Sequence, residues 1–173
     1  LEVPVVGTVP AIKPAAAMTR SGVIGLLGTE ATIRQGYVDR LEAAFAADKR
    51  LLRHAAPGLV EAAEALLRGE PVDPAHIAAA VDGLRAMPGG EAIDTVVLAC
   101  THFPLLVDEL GQALGPNVRF VHGAEGIARQ IVRLTEGQAF ARAIPDLALF
   151  TASSPGNEAY APALARYGLD RIE

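Results

Sequence analysis

Three consecutive polar residues, Cys100, Thr101 and His102, follow an apolar stretch of the sequence, and Pro104 comes shortly after them. The pattern predicts a thiol at the end of a strand and close to a helix amino terminus, whose partial positive charge favours a thiolate. His102 can hold or exchange a proton near neutral pH, and Thr101 offers a hydroxyl and a backbone N–H to a carboxylate. The three residues therefore indicate proton transfer or nucleophilic chemistry at sulfur.

Several interpretations of Cys100 are compatible with these residues alone. A free cysteine at a strand end can be a small buried hydrophobe. A thiol beside an imidazole also suits a cysteine hydrolase or a thiol transferase, in which sulfur attacks carbon rather than a proton. A third interpretation is a binding module that takes up an acidic ligand without turnover.

Charge and composition exclude several classes of partner. The net charge is -5 and there is no run of Lys or Arg, which argues against nucleic acid and against an anionic membrane surface. The apolar stretches are shorter than the roughly 20 residues that span a bilayer. A single cysteine cannot form an intrachain disulfide and suits a reducing, cytoplasmic compartment. The spacing of the histidines predicts no metal site.

Short β-branched runs alternate with longer Ala- and Leu-rich segments of helical periodicity. The predicted strands are 3–6, 23–27, 51–54, 95–99, 118–121 and 147–151. The predicted helices are 10–19, 29–47, 57–68, 74–87, 104–114, 124–135 and 158–167. The alternation predicts an α/β fold with a mostly parallel sheet and flanking helices.

Ligands of parallel sheets bind at the carboxyl ends of the strands. The residues expected there are Gly7-Thr8, Gly28-Thr29, Cys100-Thr101-His102, His122-Gly123 and Ser153-Ser154. Thr29 can cap the helix that follows it or bind substrate, and Thr32, one turn further on, is also a candidate for the binding cleft.

The segment L-A-C-T-H-F-P-L-L closely resembles the second-cysteine motif of the glutamate racemases, within the aspartate/glutamate racemase superfamily. V-P-V-V-G with P-A-I-K-P, then G-L-L-G-T-E-A-T, and F-T-A-S near the end resemble further family segments in the expected order. The resemblance thus covers nearly the whole chain. It implies two pseudosymmetric α/β domains with the site in the cleft between them. Residues 1–115 would be the second domain, and 116–173 would return to the first.

The resemblance also implies the reaction. Family members racemise L- and D-glutamate without a cofactor, using one thiol on each face of the substrate Cα, and supply D-glutamate for peptidoglycan. Cys100 would be one acid/base thiol, His102 would assist its proton transfer, and Thr101 and His102 would bind substrate. Aspartate racemase and a non-catalytic amino-acid-binding remnant are the alternatives, and a homodimer is compatible with the family.

One further catalytic residue follows from the resemblance. Residues 56–64 align with a family pattern whose glutamate pairs with the motif histidine, which places Glu64 in that role and leaves Glu61 as its competitor. The family's amino-terminal region, with its D-S-G loop and first catalytic cysteine, has no counterpart in this sequence. We therefore expect the chain to be an incomplete portion that is inactive alone.

Overall fold

A computed structural model describes residues 3–141 and 144–173. The other four residues, which the predicted domains 1–115 and 116–173 include, lie outside the described residues. The strands are β1 Val23–Gly28, β2 Arg50–Ala55, β3 Thr95–Leu98, β4 Arg119–Val121, β5 Leu147–Ala148 and β6 Arg171–Ile172. The helices are α1 Ile12–Met18, α2 Glu30–Ile33, α3 Gly36–Phe45, α4 Gly58–Leu67, α5 Pro74–Arg85, α6 Val107–Leu114, α7 Ala124–Leu134 and α8 Ala161–Ala165. Short 3₁₀ turns occupy Gly90–Ala92, Phe103–Leu106 and Asn157–Tyr160.

Four strands form one parallel sheet in the order β2-β1-β3-β4, which confirms the predicted fold class. Leu27 of β1 lies opposite Leu98 of β3, so these strands end at nearly the same level. All four carboxyl ends therefore meet at one edge of the sheet, and the segments after β1, β3 and β4 begin there.

Alternate residues of the sheet enter two separate apolar clusters, as expected for a sheet covered on both faces. Val96 and Leu98 face a cluster that contains buried residues of α4, α5 and α6. Val97 and Leu26 face the other cluster, which contains buried residues of α1 and α3. Within 3–141 and 144–173, no helix has both the length and the apolar character to cross a bilayer.

Side chains on the first face of the sheet approach Gly25 of β1 too closely to leave room for a larger residue. A Cβ built on Gly25 would lie 3.1 Å from Leu84 Cδ1 and 3.2 Å from Val96 Cγ2. The absence of a side chain here lets α5 pack directly on the middle of the sheet.

Some predicted elements differ from the structure. The predicted strand 3–6 is wrong: these residues are not paired, and Val3 and Val5 are 63% and 71% exposed. The predicted helix 29–47 is divided, because Gln35 is extended and turns the chain between α2 and α3, where Gly36 adds little helix propensity.

The carboxyl-terminal segment differs most from the prediction. Strand 147–151 is reduced to β5, which pairs with β6, a strand that was not predicted, rather than with the main sheet. Ser153 and Ser154 therefore do not follow a strand of that sheet. β4, which lies in the predicted 116–173 segment, pairs with β3 in the main sheet.

The carboxylate of Asp94 accepts several hydrogen bonds at the amino-terminal edge of the sheet. Asp94 accepts hydrogen bonds from the Thr19 hydroxyl at 2.6 Å, from the Arg20 and Ser21 backbone N–H groups at 2.7 and 2.9 Å, and from the Thr95 hydroxyl at 2.9 Å. Burial by itself would raise the pKa of Asp94, but these hydrogen bonds to its charged form lower that pKa well below its ordinary value. Asp94 thereby fixes the turn that leads from α1 into β1.

We predict that Asp94→Ala lowers the free energy of unfolding at pH 7 by about 1–3 kcal/mol, because it leaves several donors without their acceptor. The folded-state pKa of Asp94 lies below its ordinary value of 3.8, so its stabilisation is complete above that pH and is lost as the pH falls through the folded pKa. The difference between the wild type and the variant should therefore shrink as the pH falls from about 7 toward strong acid. Urea unfolding across pH measures this, with exposed Asp82→Asn as the control. A difference that does not depend on pH would contradict the assignment.

Candidate functional site

Cys100 lies two residues beyond the end of β3, where the chain turns at the carboxyl edge of the sheet. The turn is held because Phe103 and Leu106 are fully buried, and because the Phe103 N–H donates to the Cys100 carbonyl at 3.2 Å. Cys100 itself is partly buried and packs on the cluster beneath α4 to α6. The apolar residues of the motif thus anchor the segment and leave the polar ones at the rim.

The helix after Cys100 begins later than the sequence predicts. Residues 103–106 form a 3₁₀ turn, and α6 starts at Val107 rather than at Pro104. The predicted helix terminus is therefore not adjacent to Cys100, and the field of such a terminus falls off within about one turn. The neighbouring imidazole is the closer source of activation.

His102 joins Cys100 to a carboxylate on α4. Its Nδ1 lies 3.8 Å from Cys100 Sγ, and its Nε2 lies 2.8 Å from Glu64 Oε1. An ionised carboxylate can only accept, so Nε2 carries the proton that it donates to Glu64. In the neutral imidazole, Nδ1 is then left as an acceptor directed at the sulfur. The arrangement can take a proton from the thiol or return one to it.

The contact with His102 distinguishes Glu64 from Glu61. Leu59, Ala62 and Ala63 form the buried face of α4, and Glu64 lies next to that face toward the motif. Glu61 instead lies 3.4 Å from His76 and is 75% exposed. The predicted pairing of Glu64 with the motif histidine is present, while the catalytic role of Glu64 stays a prediction.

The carboxylate of Glu64 has a second partner, which the sequence does not predict. The Tyr160 hydroxyl donates to Glu64 Oε2 at 2.6 Å. This hydrogen bond is the largest cause that lowers the pKa of Glu64; burial opposes it, and His102 and then Arg68 add to it. Arg68, the residue that follows the last residue of α4, lies 3.8 Å from the same oxygen. The carboxylate is therefore kept ionised where it faces the imidazole.

A cavity of about 210 Å³ opens beside the sulfur. Cys100 and Thr101 line one side of it, and Thr8, His122 and Ile127 are among the residues that line the remainder. Thr8 and His122 also line a neighbouring cavity of about 510 Å³. Cys100 is thus accessible to a small ligand, unlike a cysteine that fills a core.

Thr29 and Thr32 follow β1, the strand that pairs with β3, and they are hydrogen-bonded to each other. Thr29 caps α2 by accepting the Thr32 N–H at 3.3 Å, and the two hydroxyls are 3.0 Å apart. Neither residue lines the cavity beside Cys100. The helix-cap alternative for Thr29 is therefore present in the structure, and substrate binding by Thr29 and Thr32 stays a prediction.

No cluster of three or more metal-ligating side chains occurs among residues 3–141 and 144–173.

Comparison with known proteins gives a family match. The model of the family described as Asp/Glu/Hydantoin racemase matches residues 1–131, which include the sheet and the Cys100 motif.

Individual relatives agree with that match. The glutamate racemase of Sphingopyxis alaskensis is 62% identical over 174 residues, which cover all of this chain and 65% of that protein. The glutamate racemase of Salmonella typhimurium is 44% identical over 98% of this chain and 60% of its own length. The crystal structure of the Escherichia coli glutamate racemase with L-glutamate and the activator UDP-MurNAc-Ala superimposes with a TM-score of 0.90 at 40% identity, over all of this chain and 65% of that one. The chain therefore spans about two thirds or less of the length of these relatives.

The geometry of Cys100 and His102 generates a prediction about thiol reactivity. We expect His102→Asn to slow alkylation of Cys100 by iodoacetamide roughly threefold to tenfold at neutral pH, because an imidazole can accept the thiol proton and an amide cannot. Mass spectrometry of the peptide that contains Cys100 measures the rate. His76→Asn, a histidine paired with Glu61, is the matched control and should leave the rate unchanged. Equal rates in all three proteins would show that His102 does not activate the thiol.

Proposed function

The chain belongs to the Asp/Glu/Hydantoin racemase family, and we propose that the protein is a glutamate racemase that interconverts L- and D-glutamate. The observation that carries this proposal is the series of contacts from Cys100 Sγ through the His102 ring to the Glu64 carboxylate, beside an open cavity. Glutamate racemases at 62% and 44% identity support the choice of substrate.

The proposed reaction is a proton exchange at the substrate Cα. In one direction, the Cys100 thiolate takes the α-proton, and a thiol on the opposite face gives its proton to the resulting carbanion. Cys100 ends as a thiol and the opposite cysteine as a thiolate, so charge and protons balance. No cofactor takes part in this scheme.

The second thiol must come from outside these residues, because the 173 residues contain one cysteine. We place it in the portion of the polypeptide that the longer relatives have and this chain does not cover. The isolated 173 residues would then bind substrate poorly and would not racemise it.

The other site residues receive distinct proposed roles. His102 accepts the Cys100 proton through Nδ1 and returns it, and Glu64 stabilises the imidazolium that forms. Thr101, which is exposed at the cavity, offers its hydroxyl and backbone N–H to a substrate carboxylate. Thr29 and Thr32 would contribute hydroxyls from the neighbouring strand end once substrate competes for their mutual hydrogen bond.

Exposed apolar surface on α7 supports a further domain that packs against segment 116–173, although β4 of this segment pairs within the main sheet. α7 has no buried residue, and its Ile131 and Val132 are 47% and 69% exposed. A helix with such a face normally packs against another element. We propose that residues 116–173 lead toward a first domain that packs on this face and completes the cleft over Cys100.

The proposed racemase activity places the enzyme in the cytoplasm, where it supplies D-glutamate for peptidoglycan.

We predict that Cys100→Ser in the complete protein lowers racemisation of both enantiomers at least about 100-fold, because serine does not exchange a proton with the α-carbon as a thiol does. The assay follows the incorporation of solvent deuterium at the α-carbon by NMR and the change of optical rotation. Asp82→Asn, which alters an exposed residue of α5 that lines neither cavity, is the control and should keep full activity.

Two results would contradict the proposal. One is a wild-type protein that does not exchange the α-hydrogen of glutamate. The other is a stable thioester at Cys100 formed with an electrophilic carboxylate derivative, because this would favour a hydrolase or a transferase that attacks carbon.

A further inference from the structure

Tyr160 connects the carboxyl-terminal segment to the reacting groups across 96 residues of sequence. It lies at the end of the 3₁₀ turn Asn157–Tyr160, just before α8, and is partly buried. Its hydroxyl reaches Glu64 Oε2, while His102 holds Oε1 of the same carboxylate. Both oxygens of Glu64 are therefore fixed, one by the histidine and the other by the tyrosine.

The direction of the hydrogen bonds around Tyr160 is determined by Arg68. The guanidinium Nη1 of Arg68 lies 3.2 Å from the Tyr160 oxygen. Arginine only donates, so the tyrosine oxygen accepts from it and the tyrosine proton is directed to Glu64. The donation from Arg68 also makes the hydroxyl a stronger donor to the carboxylate.

Other contacts hold the tyrosine ring in place. The Arg68 guanidinium lies 5.9 Å from the centre of the ring, and Phe150 packs beside it at 5.7 Å between ring centres. Glu70 orients Arg68 through two hydrogen bonds of 3.0 and 2.7 Å. The hydroxyl of Tyr160 is thus supported by packing on the ring and by the Arg68–Glu70 ion pair just beyond the carboxyl end of α4.

A carboxylate with one free oxygen could rotate away from His102 or take up a proton. Either change would remove the acceptor that keeps the proton of the imidazole on Nε2 and its Nδ1 facing Cys100. The groups that face Glu64 in the described chain are His102, Tyr160 and Arg68, with Cys100 beyond the imidazole. Of these, Tyr160 makes the shortest contact with the carboxylate.

We propose that Tyr160 is a positioning residue for the racemisation: its hydroxyl orients the Glu64 carboxylate so that His102 presents Nδ1 to the Cys100 thiol. This inference rests on the proposed function for its catalytic consequence. It also makes the ordering of the 144–173 segment a condition for full activity, since that segment supplies Tyr160.

The test compares Tyr160→Phe with the wild type in the complete protein. Phenylalanine keeps the ring contacts with Phe150 and Arg68 and removes the hydroxyl alone. Tyr167→Phe is the matched control in the same segment, since Tyr167 is 69% exposed. Arg68→Met is a second variant, which keeps Tyr160 but removes the donor to its oxygen. Circular dichroism shows whether each variant is folded.

The first readout does not depend on enzymatic activity. Carbon-13 NMR of the glutamate side-chain carboxyls, with Glu64→Gln to assign the signal, follows the titration of Glu64. We expect the pKa of Glu64 to rise toward its ordinary value of 4.5 in Tyr160→Phe, to rise less in Arg68→Met and to stay unchanged in Tyr167→Phe. An unchanged pKa in Tyr160→Phe would overturn the inference.

The second readout is racemisation of glutamate. We expect kcat to fall roughly threefold to tenfold in Tyr160→Phe, with KM within about twofold of the wild type, because one hydrogen bond that orients the base is lost. An unchanged kcat, whether or not KM changes, would overturn the positioning role. A wild type without racemase activity would overturn the proposed function and the catalytic part of this inference, while the carboxyl titration would still decide whether Tyr160 controls Glu64.

Discussion

The hydrogen bond between Glu64 and His102 is the interaction on which the rest of the site depends. At 2.8 Å it joins α4 to the turn after β3 and decides which ring nitrogen carries the proton. With Nε2 engaged, Nδ1 is the nitrogen available to Cys100. Without this bond the imidazole could turn or change tautomer, and the sulfur would have no defined proton partner. The packing of α4 on the sheet therefore positions Glu64, and through it His102, for proton transfer with Cys100.

The parallel sheet explains why these groups meet. The motif after β3 and the threonines after β1 lie at one edge because the two strands are in register and point the same way. Asp94 fixes the opposite edge, where the turn after α1 enters β1. The buried apolar residues on both faces hold the strands between these edges, so the polar groups at the carboxyl ends can adopt fixed positions without contributing to the core.

Local signals were sufficient for much of this arrangement. Continuous apolar runs predicted the central strands, and the polar residues that follow β3 identified Cys100 and His102. Glu64 was found because its segment resembles a family pattern. Tyr160 could not be found in this way, since its contact is long-range and its segment carries no motif. The strand predicted at 3–6 failed because β-branched residues indicate a strand only where a partner strand is available.

The proposed proton transfer depends on the position of the Cys100 sulfur relative to a bound substrate. A crystal structure of the complete protein with glutamate would measure this most directly. We predict that Sγ lies roughly 3–3.5 Å from the substrate Cα, in line with its C–H bond and still in contact with the imidazole of His102. A sulfur turned into the apolar cluster, or a substrate carbonyl rather than the Cα facing it, would contradict the account.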